Sequence, residues 1–279
     1  MNNALSAKMN TQTTLSTWLL SLLFIGTLLL STDVSAQRGN QDDEEQPKKP
    51  LITQKEYDKL LMWIVDEKYE NVLYKCIRYT ENDKTKKLPL PYLYMGKAYL
   101  GIHLTEDNEL REKFQVDKLK ALKNSLKYTA KFRKKEDPEN PQSREHTVFF
   151  DDLWNETKNA AETEMDNEKY TKARSYYKYL ATIDPEDPGA WLMYAAAYQH
   201  LKSRREAAET YDEARKVLDE FNGHGLREVQ MELLLFAIIY NVELLKDTNR
   251  AAALEWLAIG EDLFPQDREL RAVKASIGG

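Results

Sequence analysis

The chain has 279 residues, of which 42% are hydrophobic and 31% charged, and a formal net charge of −6. That balance suits amphipathic helices with a solvated outer face, and the excess of acids disfavours a general nucleic-acid binder. A single cysteine, Cys76, excludes an intramolecular disulfide. The charge is uneven: residues 146–279 hold 16 Lys and Arg against 25 Asp and Glu, a net of −9, whereas residues 1–145 hold 24 against 21, a net of +3.

At the N-terminus, Lys8 precedes the apolar run Trp18–Leu30, and the small residues Val34-Ser35-Ala36 lead out to Gln37. A run of 13 residues is short for a bilayer span, which needs about 20. Residues 1–36 are therefore expected to be a signal peptide cleaved after Ala36, the alternative being a retained anchor. The mature protein would then be periplasmic or secreted, with no stable membrane span, and an exported chain without a disulfide framework fits a bacterial periplasm. Residues 37–52 carry the acidic run Asp42-Asp43-Glu44-Glu45 and no apolar periodicity, and are expected to form a disordered leader.

Helices start at Thr53, which forms a capping box with Glu56. Residues 53–136 are expected to be helical throughout. Tyr69, Val72, Cys76 and Tyr79 mark one helix face, and Tyr92, Met95, Gly96 and Tyr99 mark another beyond the charged connector 84–91. Cys76, at a packed position, reads as a small buried hydrophobe. Residues 106–135 are too long for a standard second helix and form one long helix or two short ones, with Val116, Leu119, Leu122 and Leu126 as the apolar stripe. Pro138 and Pro141 then make residues 137–146 a linker and the best hinge position, because each proline removes a donor and forces its predecessor out of helical geometry. Phe149, Phe150, Leu153 and Trp154 open a long amphipathic helix.

Beyond it a small set of residues recurs at intervals of 34: Ala173, Tyr177 and Leu180 are followed by Ala207, Tyr211 and Ala214. Small residues admit a neighbouring helix, and the aromatic four positions on fills the space one turn away. Trp191, Tyr194, Ala195 and Tyr198 supply a matching large, large, small, large run on the helix between. Asp187 is placed to cap that helix with Pro188 at its first position, and Ser203 with Glu206 reads as a second capping box. Asn222-Gly223-His224-Gly225 breaks the chain before an apolar helix at Leu226–Leu245. The spacing from Ala207 to Ala253 is 46, so 12 extra residues lengthen this repeat. Ala253, Leu257, Gly260 and Pro265 mark a further second helix, although Ala252, Trp256 and Ile259 fit one residue earlier. The polar tail from Gln266 reads as a capping helix.

These signatures resemble the tetratricopeptide repeat family, whose 34-residue unit pairs a W-x2-L-G-x2-Y helix with an A-x3-F helix, often closed by Pro, as Pro185 closes one copy here. The resemblance covers most of residues 53–267, departs from the pattern at 104–153, and is strongest in 147–279. It implies an all-α, right-handed superhelical solenoid of antiparallel helix pairs, with about five repeats. It also implies a concave groove, lined by the first helices, that binds protein segments. Carried onto this sequence, the groove positions are Lys158, Glu162, Leu192, Ala196 and Gln199. The family's clamp for acidic C-terminal peptides is absent: Lys158 matches its first lysine, but Glu162 and Met193 stand where it needs Asn, and Leu235 and Ile239 where it needs cations. Trp191, Tyr194, Tyr198, Tyr211 and Trp256 occupy signature positions and are expected to pack the core.

Chemistry has little support. His103, His146, His200 and His224 have no His or Cys at metal-ligand spacing, and there is no Gly-rich phosphate loop or nucleophile elbow. No catalytic residue, cofactor or metal is expected. One charged feature rises above background: residues 118–135 carry eight cations and no acid, and Lys120, Lys123, Lys127, Lys131 and Lys134 share a face. This face is either solvated, or docked by the chain's own acidic half, or a site for an anionic partner. The expected function is that of an exported scaffold or adaptor for protein partners in an envelope-associated complex. The alternatives are a module that binds an anionic polymer or lipid headgroup through the lysine helix, and an accessory subunit of a secretion or enzyme complex.

Overall fold

The computed structural model describes residues 50–106, 108–221 and 225–278. The expected signal segment 1–36 and residues 37–49 of the leader lie outside them. The leader does not run to residue 52 as expected: Ile52 is buried, at the position before the helix cap where an apolar side chain closes over the first turn. Among the described residues there are twelve α-helices and no strand. They are α1 (Gln54–Val65), α2 (Tyr69–Glu81), α3 (Leu90–Leu104), α4 (Asn108–Lys113), α5 (Lys118–Arg133) and α6 (Thr147–Asp166), followed by α7 (Tyr170–Ile183), α8 (Pro188–His200), α9 (Arg204–Glu220), α10 (Glu228–Leu245), α11 (Arg250–Leu263) and α12 (Arg268–Gly278).

The sequence dictates which helices sit inside. α3, α8 and α10 are apolar nearly all round, so each must be covered on several sides. Accordingly α3 packs against α2 and α5, α8 against α7, α9 and α10, and α10 against α8, α11 and α12. Helices α1–α2, α3–α5, α6–α7, α8–α9 and α10–α11 pack in pairs, giving the expected all-α solenoid of helical hairpins. α12 closes the stack by burying Leu270, Val273 and Ile277. Three of the hairpins turn in the same way. Glu67, Glu168 and Lys202 adopt φ of 57°, 58° and 58°, and the residue after each returns its N–H to a carbonyl five residues back: Lys68 to Trp63, Lys169 to Glu164 and Ser203 to Tyr198.

The stretch 106–135 resolves into the short α4 and the long α5, with Gln115 at φ 49° between them. Val116, Leu122 and Leu126 are buried as expected, but Leu119 is exposed. The capping box at Thr53 forms, its N–H donating to Glu56 at 2.9 Å, whereas Ser203 makes no side-chain cap, and its N–H, bonded to the Tyr198 carbonyl, is not free for Glu206. The proline segment is tied to its neighbours by local bonds. Arg133 bonds Glu136 and donates to Ser143 Oγ at 2.6 Å, and Ser143 N donates to Glu136 at 3.0 Å, which fastens residues 133–143 to a short 3-10 turn, Gln142–His146. One core cluster also runs across it, from Tyr92, Leu122 and Phe132 to Phe149 and onward to Ile277, so residues 137–146 do not divide two cores. A smaller core of Leu60, Leu73, Cys76, Met95 and Ile102 holds the first helices together.

Ala207 is buried at the contact between α9 and its neighbours and lines the floor of a cleft between α9 and α11. Ala207→Arg is expected to cost about 3 kcal/mol, since the long charged side chain must leave a close helix contact and crowd that cleft. Glu209 is exposed and paired with exposed Arg205, so Glu209→Ala should change stability by less than about 0.5 kcal/mol. Thermal melts separate the two, and equal losses would refute the helix phase.

Candidate functional site

Helices α6, α8 and α10 converge on a cleft of about 250 Å³, with Tyr177 of α7 behind it. α6 contributes Glu162, Met165 and Asp166, α8 contributes Met193, and α10 contributes Phe236 and Tyr240. Met165, Tyr177 and Met193 are buried and form an apolar floor, while Phe236 remains 43% exposed at the rim. The cause is local: α10 is apolar on every side, and its neighbours do not reach the side on which Phe236 falls.

The polar groups of the cleft are unevenly satisfied. Glu162 is paired with Lys158 at 2.9 Å. Asp166 has no cation within reach among the described residues. The Tyr177 hydroxyl is buried and has no hydrogen-bond partner. Burial pushes its pKa well above the ordinary phenol value, and the charges of Glu162, Tyr240 and Asp166 add to this. Burial likewise raises Tyr240 to about 12, and its hydroxyl meets His200 Nε2 at 2.7 Å. His200 stacks on Tyr170 at 4.0 Å, and burial holds its pKa below the usual imidazole value. The Tyr170, His200 and Tyr240 chain thus locks the end of α8 to α7 and α10.

The expected groove residues separate. Glu162 lines this cleft and Lys158 flanks it, but Leu192 and Ala196 do not line an open surface: both are fully buried. α10 packs along α8, and Asn241 of α10 donates to the Leu192 carbonyl at 3.3 Å, which turns the face carrying these positions into an interior contact. Gln199 lies elsewhere, in a larger cleft of about 750 Å³ between α9 and α11 that also contains Lys202, Arg215 and Trp256. That cleft opens because α10 packs chiefly on α8, not on α9. Arg215, paired with Glu255 at 2.6 Å and lying 5.0 Å from the Trp256 ring, bridges it. Asp166, Met193, Phe236 and Tyr240 were not among the expected groove residues. The pair Phe236 and Tyr240, one turn apart on an apolar helix, was the available signal.

Lys120, Lys123, Lys127 and Lys131 lie along α5 and Lys134 follows its last residue; all five are exposed, and none has a carboxylate within 4 Å among the described residues. Several lie over tyrosine rings: Lys123 is 5.7 Å from Tyr176, and Lys131 is 5.8 Å from Tyr92 and 5.3 Å from Tyr128. Partial burial, followed by repulsion from Lys127 and Lys135, holds Lys131 below the usual lysine range. Among the described residues, no cluster of three or more His, Cys, Asp or Glu is placed to hold a metal, and no helix is long and apolar enough to cross a membrane. Burial pushes the Cys76 thiol up to about 12, which suits a structural role.

Residues 164–227, from the end of α6 through α9, match the family model of the tetratricopeptide repeat. Over that stretch the chain carries tetratricopeptide repeats. The match coincides with the stretch where the 34-residue period is undisturbed, and it stops before α10, where the repeat lengthens. Comparison with curated proteins and with solved structures found no match. The tetratricopeptide repeat is a protein-interaction scaffold, typically without catalytic activity.

Proposed function

We propose that this protein is a tetratricopeptide-repeat scaffold that holds a segment of a partner protein in the cleft between α6, α8 and α10, and that it works after export, in the cell envelope. The observation that carries the first part is Phe236, a large aromatic left 43% exposed beside a buried, unpartnered hydroxyl. Covering such a ring contributes up to about 2 kcal/mol to association. Phe236→Ala is expected to leave the melting temperature nearly unchanged, because the ring is already half in water. It should weaken partner binding about tenfold, as loss of a central aromatic anchor does. A photo-crosslinker at Phe236 in living cells, compared with one at the exposed Leu254 of α11, checks this: equal crosslinking at the two positions would argue against the cleft.

Export rests on the sequence of residues 1–36. Protein isolated from cells should begin at Gln37, and an intact N-terminus in the membrane fraction would contradict that reading.

A second reading is favoured by the uncompensated lysines of α5, which could take an anionic polymer or lipid headgroup. Binding there should weaken steeply with added salt and be lost on replacing Lys123, Lys127 and Lys131 with Glu, whereas binding through Phe236 should survive both changes.

A further inference from the structure

We propose that the segment held in the α6, α8 and α10 cleft anchors itself with a lysine or arginine side chain flanked by apolar residues. This rests on the cleft being the binding site, and it names the chemistry of what binds there.

The volume is the first constraint. About 250 Å³ is below the size of a typical small-molecule site, and suits one long side chain and part of a second. The floor is the second. Met165, Tyr177 and Met193 present apolar surface to the methylene stem of such a side chain, and the rings of Phe236 and Tyr240 stand beside it. Long basic side chains bury their stems in this way while keeping the charged head at the rim.

The polar groups decide the sign of that head. Exposed Asp166 lines the cleft and forms no ion pair among the described residues, while Lys158 is paired with Glu162 at 2.9 Å. A carboxylate or phosphate entering here would meet the Asp166 charge, whereas an ammonium or guanidinium would pair with it. The wider field agrees, since residues 146–279 carry a net charge of −9.

The test is selection of random-sequence peptides on the full chain, followed by titration of fluorescein-labelled peptides made from the selected sequences. Lys or Arg between apolar residues should be enriched, and replacing that residue by norleucine in the labelled peptide should weaken binding about tenfold or more. Asp166→Asn should weaken it several-fold and flatten its salt dependence. If the selected peptides carry no cation, or tolerate norleucine, and still lose binding on Phe236→Ala, the cation proposal is overturned while the cleft stands. If binding is indifferent to Phe236→Ala, both fall. Enrichment of acidic peptides that depend on Lys123, Lys127 and Lys131 would move the site to α5 and overturn the proposal.

Discussion

Asp187→Ala is expected to lower the unfolding free energy by about 3 kcal/mol at pH 5, one of the largest losses available from a single side chain in this protein. Asp187 is fully buried at the start of α8. One carboxyl oxygen accepts from the Ala190 N–H at 3.1 Å and caps the helix, and the other accepts from Trp154 Nε1 of α6 at 2.9 Å. Removing it leaves an indole N–H and a backbone N–H buried without acceptors and unties α6 from α8. Asp187→Asn keeps one acceptor and should cost less than half as much.

The same carboxyl makes stability depend on pH. Burial, then the charge of Asp184, raises its pKa from 3.8 to about 7, against the opposing hydrogen bonds from Trp154, Ala190 and Gln230. The unfolded chain has already released this proton at pH 5, whereas the folded chain keeps it to about pH 7. The folded state therefore binds more protons across that window, and stability falls as pH rises through it, by up to about 3 kcal/mol, before levelling off above it. Asp184, also raised by burial, acts in the same direction. Urea unfolding of wild type and Asp187→Asn at pH 5 and pH 8 is the measurement. Wild type should lose stability between the two and the variant much less, and parallel profiles would sink the assignment.

Much of this arrangement can be read in the chain. The recurrence of Ala173, Tyr177 and Leu180 at Ala207, Tyr211 and Ala214 locates the hairpins, because a small residue and an aromatic one turn on can share a face only in a helix packed closely against another. What the period does not state is which neighbour a face meets. Leu192 and Ala196 hold groove positions when each repeat stacks on the last in the same way, but the extra residues between α9 and α11 let α10 settle on α8 and close that face. Local polar locks were equally silent. Pro138 and Pro141 mark a break, yet Arg133, Glu136 and Ser143, spread over ten residues, show no periodicity and still fasten it. The cap at Asp187 was legible from Asp-Pro at a helix start, whereas its burial against Trp154 depends on a contact 33 residues away in the chain. One signal was present and missed: Asp66-Glu67-Lys68-Tyr69 and Asn167-Glu168-Lys169-Tyr170 are nearly the same four residues, and they make the same left-handed turn.

Gly189→Leu is expected to cost at least about 3 kcal/mol, and Gly189→Ala about 2 kcal/mol, for a reason that bears on the cleft. A β-carbon at Gly189 would stand 2.8 Å from the Leu234 nitrogen and 3.0 Å from the Leu233 carbonyl carbon. Both are backbone atoms of α10. A side chain can rotate out of the way, but a helix backbone moves only as a unit, so α10 must shift away from α8. Phe236 and Tyr240 would move with α10 while Met193 stayed on α8, and the cleft would widen. Gly189→Ala, assayed well below its melting temperature, should therefore bind cleft peptides several-fold more weakly although it touches none of them. Gly225 provides the contrast. Its φ of 102° is strained for any other residue, but nothing lies within 4 Å of its position. Gly225→Ala should cost about 1 kcal/mol from backbone strain alone and leave peptide affinity unchanged. Melting curves and peptide titrations of the two alanine variants distinguish displacement from strain. If both lose stability and neither loses affinity, α10 is not held in register by its contact with Gly189, and the coupling between packing and cleft is wrong.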